Sequence, residues 1–325
     1  CCNLGHQHPK IVAAIKAQAD QMCYVQPGWG ASPRTDLAQR LIEKSGLTGG
    51  RVFFSLAGAD ANENAVKFAR WFTGKSKIIT RYRSYHGASH MTLDLGGDNR
   101  GWNTQTGFDG IVHALPPYCY RCPLGLKYPA CDLRCADHIA DTIEYVGKDT
   151  VAAVMLEPHA GTNGIVAPPE YWPKVREICN RYGILLIADE VMSGFGRVGE
   201  WFAWQKYGPE NAPDIMTLAK GITGAHVPLG AVVVNQRIAA YFDYHVLESG
   251  LTYSGHPIGC AAGAAAIDAY EEENLIQRAR DLGEWMINRL REMQTRLPLI
   301  ADVRGQGLFA IVELAKYSWP ATLPE

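Results

Sequence analysis

The chain has 325 residues, 47% of them hydrophobic and 20% charged, with 31 Lys and Arg against 33 Asp and Glu. A net charge of −2 gives nucleic acid or an anionic membrane no electrostatic hold. The apolar content, with 8 Trp, 15 Tyr and 9 Phe, suits a large packed core and not a disordered chain. The longest nearly apolar stretch, Cys260–Ala269, falls far short of the ~20 residues of a membrane span. No nucleic-acid or membrane partner is expected, and the compartment expected is the cytoplasm.

In chain order, Cys1-Cys-Asn-Leu-Gly5 reads as the middle of an element, and the Pro-containing end, Tyr317–Glu325, stops without a cap. With no leader visible, the chain is expected to be an interior piece of a longer protein. A helix is predicted over Pro9–Met22, with Pro in its first turn. A Gly/Pro/Ser stretch follows, then a helix through Leu37, Leu41 and Ile42. From Arg51 strands and helices alternate: strand Val52–Leu56, helix Ala59–Phe72, strands Lys77–Arg81, Ile111–Ala114 and Val151–Glu157, and helix Glu170–Tyr182. Strands Ile184–Asp189, Ile215–Leu218 and Ala231–Val234 come next. Apolar runs such as Ile184-Leu-Leu-Ile-Ala188 belong to a sheet buried on both faces, so the fold class expected is α/β with a mostly parallel sheet. Beyond Asn274 a long charged helix leads to Val303–Leu314, read as one strand of a second layer. The division expected is an N-terminal segment 1–48, a large domain 49–273 and the start of a smaller α+β domain, 274–325.

Two features imitate other chemistries. Gly74-Lys-Ser76 ends like a phosphate loop, and Leu185-Leu-Ile-Ala-Asp-Glu190 resembles the acidic strand of a nucleotide triphosphatase. Ala69 stands where such a loop needs Gly, and the segment follows a helix instead of opening one. His6 with His8, and His86 with His90, have no matching carboxylate or cysteine for a metal, so they read as turn and cap histidines.

The consistent signal is spread over the strand ends. Ala57-Gly-Ala-Asp60 places small residues between a strand and a helix, where free N–H groups and the positive helix end can hold a phosphate. Asp189 ends a buried strand, the edge at which open α/β sheets bind ligands. Lys220 follows another strand; a desolvated lysine there suits Schiff-base chemistry better than packing. Cradle, acid and lysine together match the needs of pyridoxal 5′-phosphate (PLP), which also needs cover on both ring faces. Tyr85 and Val191 are the candidates, Val191 because it lies two residues past Asp189 and so on the same strand face.

These residues sit within longer motifs: Asn3-Leu-Gly-His-Gln-His-Pro9, Ala57-Gly-Ala-Asp-Ala-Asn-Glu63, Tyr85-His-Gly87 and Glu157-Pro158. Ala188-Asp-Glu-Val-Met-Ser-Gly-Phe-Gly-Arg197, Pro213-Asp-Ile-Met-Thr-Leu-Ala-Lys-Gly221 and Thr252-Tyr-Ser-Gly-His-Pro257 complete the set. In these the chain resembles a class III (ω-type) aminotransferase of PLP fold type I, in its taurine and ω-amine:pyruvate branch. The resemblance implies that Lys220 forms the Schiff base and moves the proton, and that Asp189 pairs with the pyridine nitrogen. It implies that Gly58 and Ala59 bind the phosphate, Tyr85 stacks, Val191 covers the opposite face, and His86 and Glu157 line the pocket. Thr252 is implied to reach the phosphate of a neighbouring subunit, making a homodimer part of the site. Ala57, Met192 and Val198 depart from the common pattern, and Met192 removes a hydrogen bond to the ring hydroxyl. The implied reaction moves an amino group from taurine, β-alanine or another terminal amine to a keto acid, with pyruvate expected. A decarboxylase or aminomutase of the same fold, and a non-catalytic homologue, are the alternatives. The family's carboxylate-binding arginine has no counterpart that the sequence assigns, while Tyr24 and Trp29 are candidates for the amine pocket or for core packing.

Cys119, Cys122, Cys131 and Cys135 form a C-x2-C-x8-C-x3-C array in a Pro-rich insertion, 116–136. That spacing fits a structural zinc site, a disulfide or reduced thiols packing a long loop. The related branch carries a similar Tyr-Arg-Cys-Pro segment, which favours a structural loop.

Overall fold

The computed structural model describes residues 2–103, 107 and 110–315, so Cys1 and the Tyr317–Glu325 end lie outside the described residues. The chain opens with α1 (Pro9–Gln21), α2 (Ser32–Ser45), β1 (Arg51–Ser55), α3 (Gly58–Thr73), β2 (Lys77–Arg81), α4 (His90–Leu95) and β3 (Ile111–Ala114). It continues with α5 (Arg134–Val146), β4 (Val151–Leu156), β5 (His159–Ala160), β6 (Ile165–Val166), α6 (Tyr171–Tyr182), β7 (Leu185–Asp189), β8 (Ile215–Leu218) and β9 (Gly230–Val234). The last elements are α7 (Gln236–Tyr241), α8 (Pro257–Glu272), α9 (Leu275–Arg296), β10 (Ile300–Gln306) and β11 (Phe309–Leu314).

Seven strands form one sheet in the order β1-β9-β8-β7-β4-β2-β3. The pairs β2–β3, β2–β4, β4–β7 and β7–β8 are parallel, and β9 runs antiparallel to both β8 and β1. Two reversals restore the direction, so every strand except β9 points the same way. The sheet is thus the expected α/β, mostly parallel one. Its centre is apolar on both faces: all of β4 and β7 is buried, each large aliphatic side chain contributing ~1.5–3 kcal/mol relative to exposure. α3 lies on one face through Ala61, Ala65, Phe68 and Ala69, all buried and spaced as one helical stripe. Gly74 ends it in the left-handed conformation, φ 67°. Gly74-Lys-Ser76 is therefore a helix exit, with the wrong polarity for a phosphate loop.

Cys260–Ala269 proves to be the middle of α8, which packs against α1 and α2. An added Cβ at Gly263 would sit 2.7 Å from the Leu37 side chain, so the small-residue run reflects close helix approach.

One expectation fails. Val303–Leu314 is not a single strand but part of a hairpin, in which β10 pairs antiparallel with β11 and Gln306 faces Phe309. Gly305 and Gly307, at φ 153° and 55°, provide the reversal; those glycines were the turn signal to be read. α9 crosses this turn at Gly283, where a Cβ would collide with the Gly307 backbone. In an ordinary helix Gly→Ala gains up to ~1 kcal/mol. Here Gly283→Ala should cost ~1–3 kcal/mol through overpacking, seen as a lower urea midpoint. A raised midpoint would mean that α9 and the turn are not in contact.

Candidate active site

Five segments meet where the parallel strands end: the β1–α3 turn, the loop after β2, Glu157 after β4, Asp189 at the end of β7 and Lys220 after β8. They enclose a cavity of about 520 Å³. Among the residues expected at a site, Gly58, Ala59, Tyr85, His86, Glu157, Asp189, Val191 and Lys220 all line it.

Gly58 and Ala59 are the first two residues of α3, so their N–H groups have no partner within the helix. Asp60 folds back to accept the Leu56 N–H at 2.9 Å, fixing the entry turn. Gly58 cannot carry a side chain, since its Cβ would stand 2.8 Å from Val191 Cγ1. Gly87, at φ 140°, closes the same corner, with Ala59 Cβ 2.5 Å from where its own Cβ would be.

Asp189 is buried, 2% exposed, and its carboxylate is held by donors alone. Oδ2 accepts from Asn62 Nδ2 at 2.8 Å and His86 Nδ1 at 2.7 Å, and Oδ1 accepts the Val191 N–H at 3.0 Å. The last bond corrects the reasoning about Val191. β7 ends at Asp189, so Val191 does not share a strand face with it; the Asp189 side chain turns the backbone and so brings Val191 to the cavity wall. His86 is buried too, its Nε2 3.1 Å from Thr80 Oγ1, which replaces the turn-and-cap reading. His8 instead pairs with Glu273 at 2.7 Å.

Glu157 is 4% exposed and accepts the Tyr85 N–H at 3.0 Å, tying the cavity wall to the end of β4. Burial pushes its carboxyl above the ordinary range, with His86 opposing. The Tyr85 ring lies under the Arg100 guanidinium at 4.5 Å, and Arg100 pairs with Asp98 at 2.5 Å. Lys220 sits at the mouth of a short 3-10 turn with φ 46°, a left-handed geometry that a lysine adopts only where its surroundings impose it. Among the described residues its ammonium has no hydrogen-bond or ion-pair partner.

Thr252 does not reach this cavity; it is exposed, and its carbonyl accepts from Tyr24 Oη at 3.0 Å. Tyr24 and Trp29 do not line the cavity either and are 41% and 72% exposed, so neither is core packing. The sequence reading missed Asn62, Thr223, His226 and Arg100. Asn62 had a signal: it lies three and four residues after Ala59 and Gly58, on the same helical face. The four cysteines of the insertion line a separate small hollow as free thiols. No group of three or more His, Cys, Asp or Glu among the described residues could hold a metal ion. Burial raises the Cys119 and Cys135 thiols, Cys135 to about 11.

A phosphate-sized cradle at a helix start, a buried acid at the cavity floor and an unpaired lysine define a PLP enzyme of fold type I. Known proteins agree. The profile of the aminotransferase class-III family matches residues 1–320. The chain is 40% identical to a solved taurine:2-oxoglutarate aminotransferase of Bifidobacterium kashiwanohense in complex with PLP and glutamate, at TM-score 0.92 over 100% of this chain and 75% of that one. It is 38% identical to a leucine/methionine racemase of Thermococcus litoralis and 34% identical to a putrescine–pyruvate aminotransferase of Pseudomonas aeruginosa. Each of these matches covers 97% of this chain and 71% of the relative. The chain belongs to the class III aminotransferase family, and its cofactor is PLP.

Glu190, beside Asp189 but facing away from the cavity, is wholly buried; Ser193 Oγ and the Trp204 N–H donate to it at 2.6 and 2.9 Å. Burial pushes its carboxyl up to about 7. A raised carboxyl contributes stability in full below the ordinary value of 4.5 and loses it as pH rises through 7. Glu190→Gln should therefore remove up to ~3 kcal/mol of the pH dependence of unfolding between the ordinary value of 4.5 and about pH 7. Parallel urea-unfolding profiles for the two proteins would contradict this.

Proposed function

We propose that this protein transfers an amino group from a terminal amine or ω-amino acid, of the taurine and β-alanine kind, to a keto acid, with pyruvate as acceptor. The observation that carries the amino-transfer chemistry is Lys220: an ammonium with no partner among the described residues, held in a left-handed backbone and opening on the same cavity as Asp189 and the α3 N-terminus. PLP, when bound, supplies the aldehyde and an electron-accepting ring. Lys220 Nζ would bind that aldehyde and then, once displaced by an amine, carry the proton between substrate and cofactor carbons. Asp189 would hold the proton of the pyridine nitrogen, presenting the lone pair that its three donors leave free. The Gly58 and Ala59 N–H groups would take the phosphate, as the positive end of α3 favours. Tyr85 and Val191 would bound the ring faces, with Glu157 and His86 fixing that wall. Met192 lines the cavity without a hydrogen-bonding group for the ring hydroxyl.

The similar proteins divide over reaction and substrate, one being a racemase and the others aminotransferases. The taurine enzyme supports the donor proposed, although its acceptor is 2-oxoglutarate, and the putrescine enzyme supports pyruvate. We further take 274–325 as part of a smaller domain, and a homodimer as the working unit. Exposed Tyr244, Val246 and Tyr253, in the segments on either side of Thr252, support the latter. Thr252, which does not line its own cavity, would then serve a neighbour's phosphate.

Lys220→Ala should abolish transamination and the yellow colour that PLP gives the protein; full turnover in that variant would remove the mechanism. A screen of taurine, β-alanine and putrescine against pyruvate and 2-oxoglutarate tests the substrates. Conversion of taurine or β-alanine with pyruvate is expected, and activity confined to 2-oxoglutarate would overturn the acceptor.

A further inference from the structure

Asn62 is the polar group at the site whose presence packing does not explain. It projects from the second turn of α3, is 1% exposed, and spends both amide hydrogens on the cofactor wall. Nδ2 donates to the His86 carbonyl at 2.6 Å and to Asp189 Oδ2 at 2.8 Å. Both neighbours are acceptors only, so the amide orientation is dictated by chemistry. Among the described residues its own carbonyl oxygen has no protein partner. An apolar side chain of similar size could fill the space but could make neither bond, so the two bonds are what the amide adds.

Those bonds tie the two partners of the pyridine end together. His86 reaches Asp189 through its ring, at 2.7 Å, and Asn62 reaches it from α3, while gripping the backbone of His86 itself. The imidazole donor is thus pinned at both ends, by Thr80 at Nε2 and by Asn62 at its carbonyl. With the Val191 N–H on Oδ1, three donors fix the carboxylate and leave one direction unused. α3 also carries Gly58 and Ala59 one turn earlier, so one helix would set the phosphate end and the nitrogen end of the cofactor at a constant separation.

We infer that Asn62 is a positioning residue for the amino-transfer reaction: it orients Asp189 and His86 as one unit against the pyridine nitrogen of PLP. This rests on the contact proposed for Asp189, and the experiment separates the two. The PLP-loaded protein is titrated with pH, following its visible absorbance band, in the unaltered chain and in Asn62→Leu, Asn62→Ser and Asp189→Asn. Losing the Asn62 donor weakens the hold on the pyridinium proton; less positive charge remains on the ring, and the band's midpoint should rise by about one pH unit in Asn62→Leu. Asn62→Ser, which keeps a donor hydroxyl, should recover part of the shift. In Asn62→Leu, kcat should fall about tenfold or more with KM little changed.

If Asp189→Asn leaves the midpoint unmoved, the cofactor contact of Asp189 is wrong and the inference falls with it. If Asp189→Asn shifts the midpoint while folded Asn62→Leu does not, Asn62 is a core residue only. Should the leucine variant fail to fold, Asn62→Ser carries the decision alone, its midpoint lying above that of the unaltered protein or coinciding with it.

Discussion

A charged carboxylate at the bottom of a protein core is the constraint that organises this molecule. Removing Asp189 from water is tolerable only if donors replace the water, and the structure brings three of them from three separate elements. One comes from α3, one from the loop after β2 and one from the backbone just past β7. None of these could be supplied locally by β7, whose remaining side chains are apolar and buried. The parallel sheet makes the convergence possible, because it brings the C-terminal ends of β1, β2, β4, β7 and β8 to a single edge.

The glycines and the strained lysine follow from the same crowding. Val191 is drawn in by its bond to Asp189 and then occupies the space where a side chain at Gly58 would lie. Gly58 in turn lets the first N–H groups of α3 face the cavity uncovered. On the far side Lys220 is turned into the left-handed region, and Gly221, whose Cβ would be 2.6 Å from Phe195 Cβ, lets the backbone close behind it. Acid, cradle and lysine therefore constrain one another through shared space as well as through bonds.

That mutual dependence explains what the sequence made legible. The apolar runs of β4, β7 and β8 announced a doubly covered sheet, and their ends announced Asp189 and Lys220, because strand-end polar residues are anomalous against such a background. The helical face that Asn62 shares with Gly58 and Ala59 pointed it at the site, but its role stayed hidden, because only the placement of His86 and Asp189 gives it two acceptors. Arg100 and the partnership of His86 with Asp189 are likewise contacts between distant segments. The β10–β11 hairpin was missed for a local reason, two glycines read as strand interior. Tyr24 and Trp29 show the converse: aromatic residues with a suggestive position, which the structure leaves on the outside.

The junction between the sheet and the hairpin is built differently from the core. Tyr118 lies between the guanidinium groups of Arg83 and Arg304, at 4.7 and 5.2 Å, and its hydroxyl bonds to Glu313 on β11. Arg304 also reaches the Gly164 carbonyl at 2.6 Å, in the loop that begins with Glu157 and carries Asn163 to Asp98 beside Arg100. This junction is held by charged and polar groups around a buried tyrosine, where the sheet core is held by apolar ones. The apolar sheet and the buried asparagine–histidine–aspartate unit lie on the other side of the cavity wall, joined by three direct hydrogen bonds. The junction is continuous, through Asn163, Asp98 and Arg100, with the open side of Tyr85. The hairpin is thus linked to the outer face of Tyr85 by a chain of polar contacts, whereas the Asp189 unit takes its bonds from α3, the loop after β2 and the Val191 N–H.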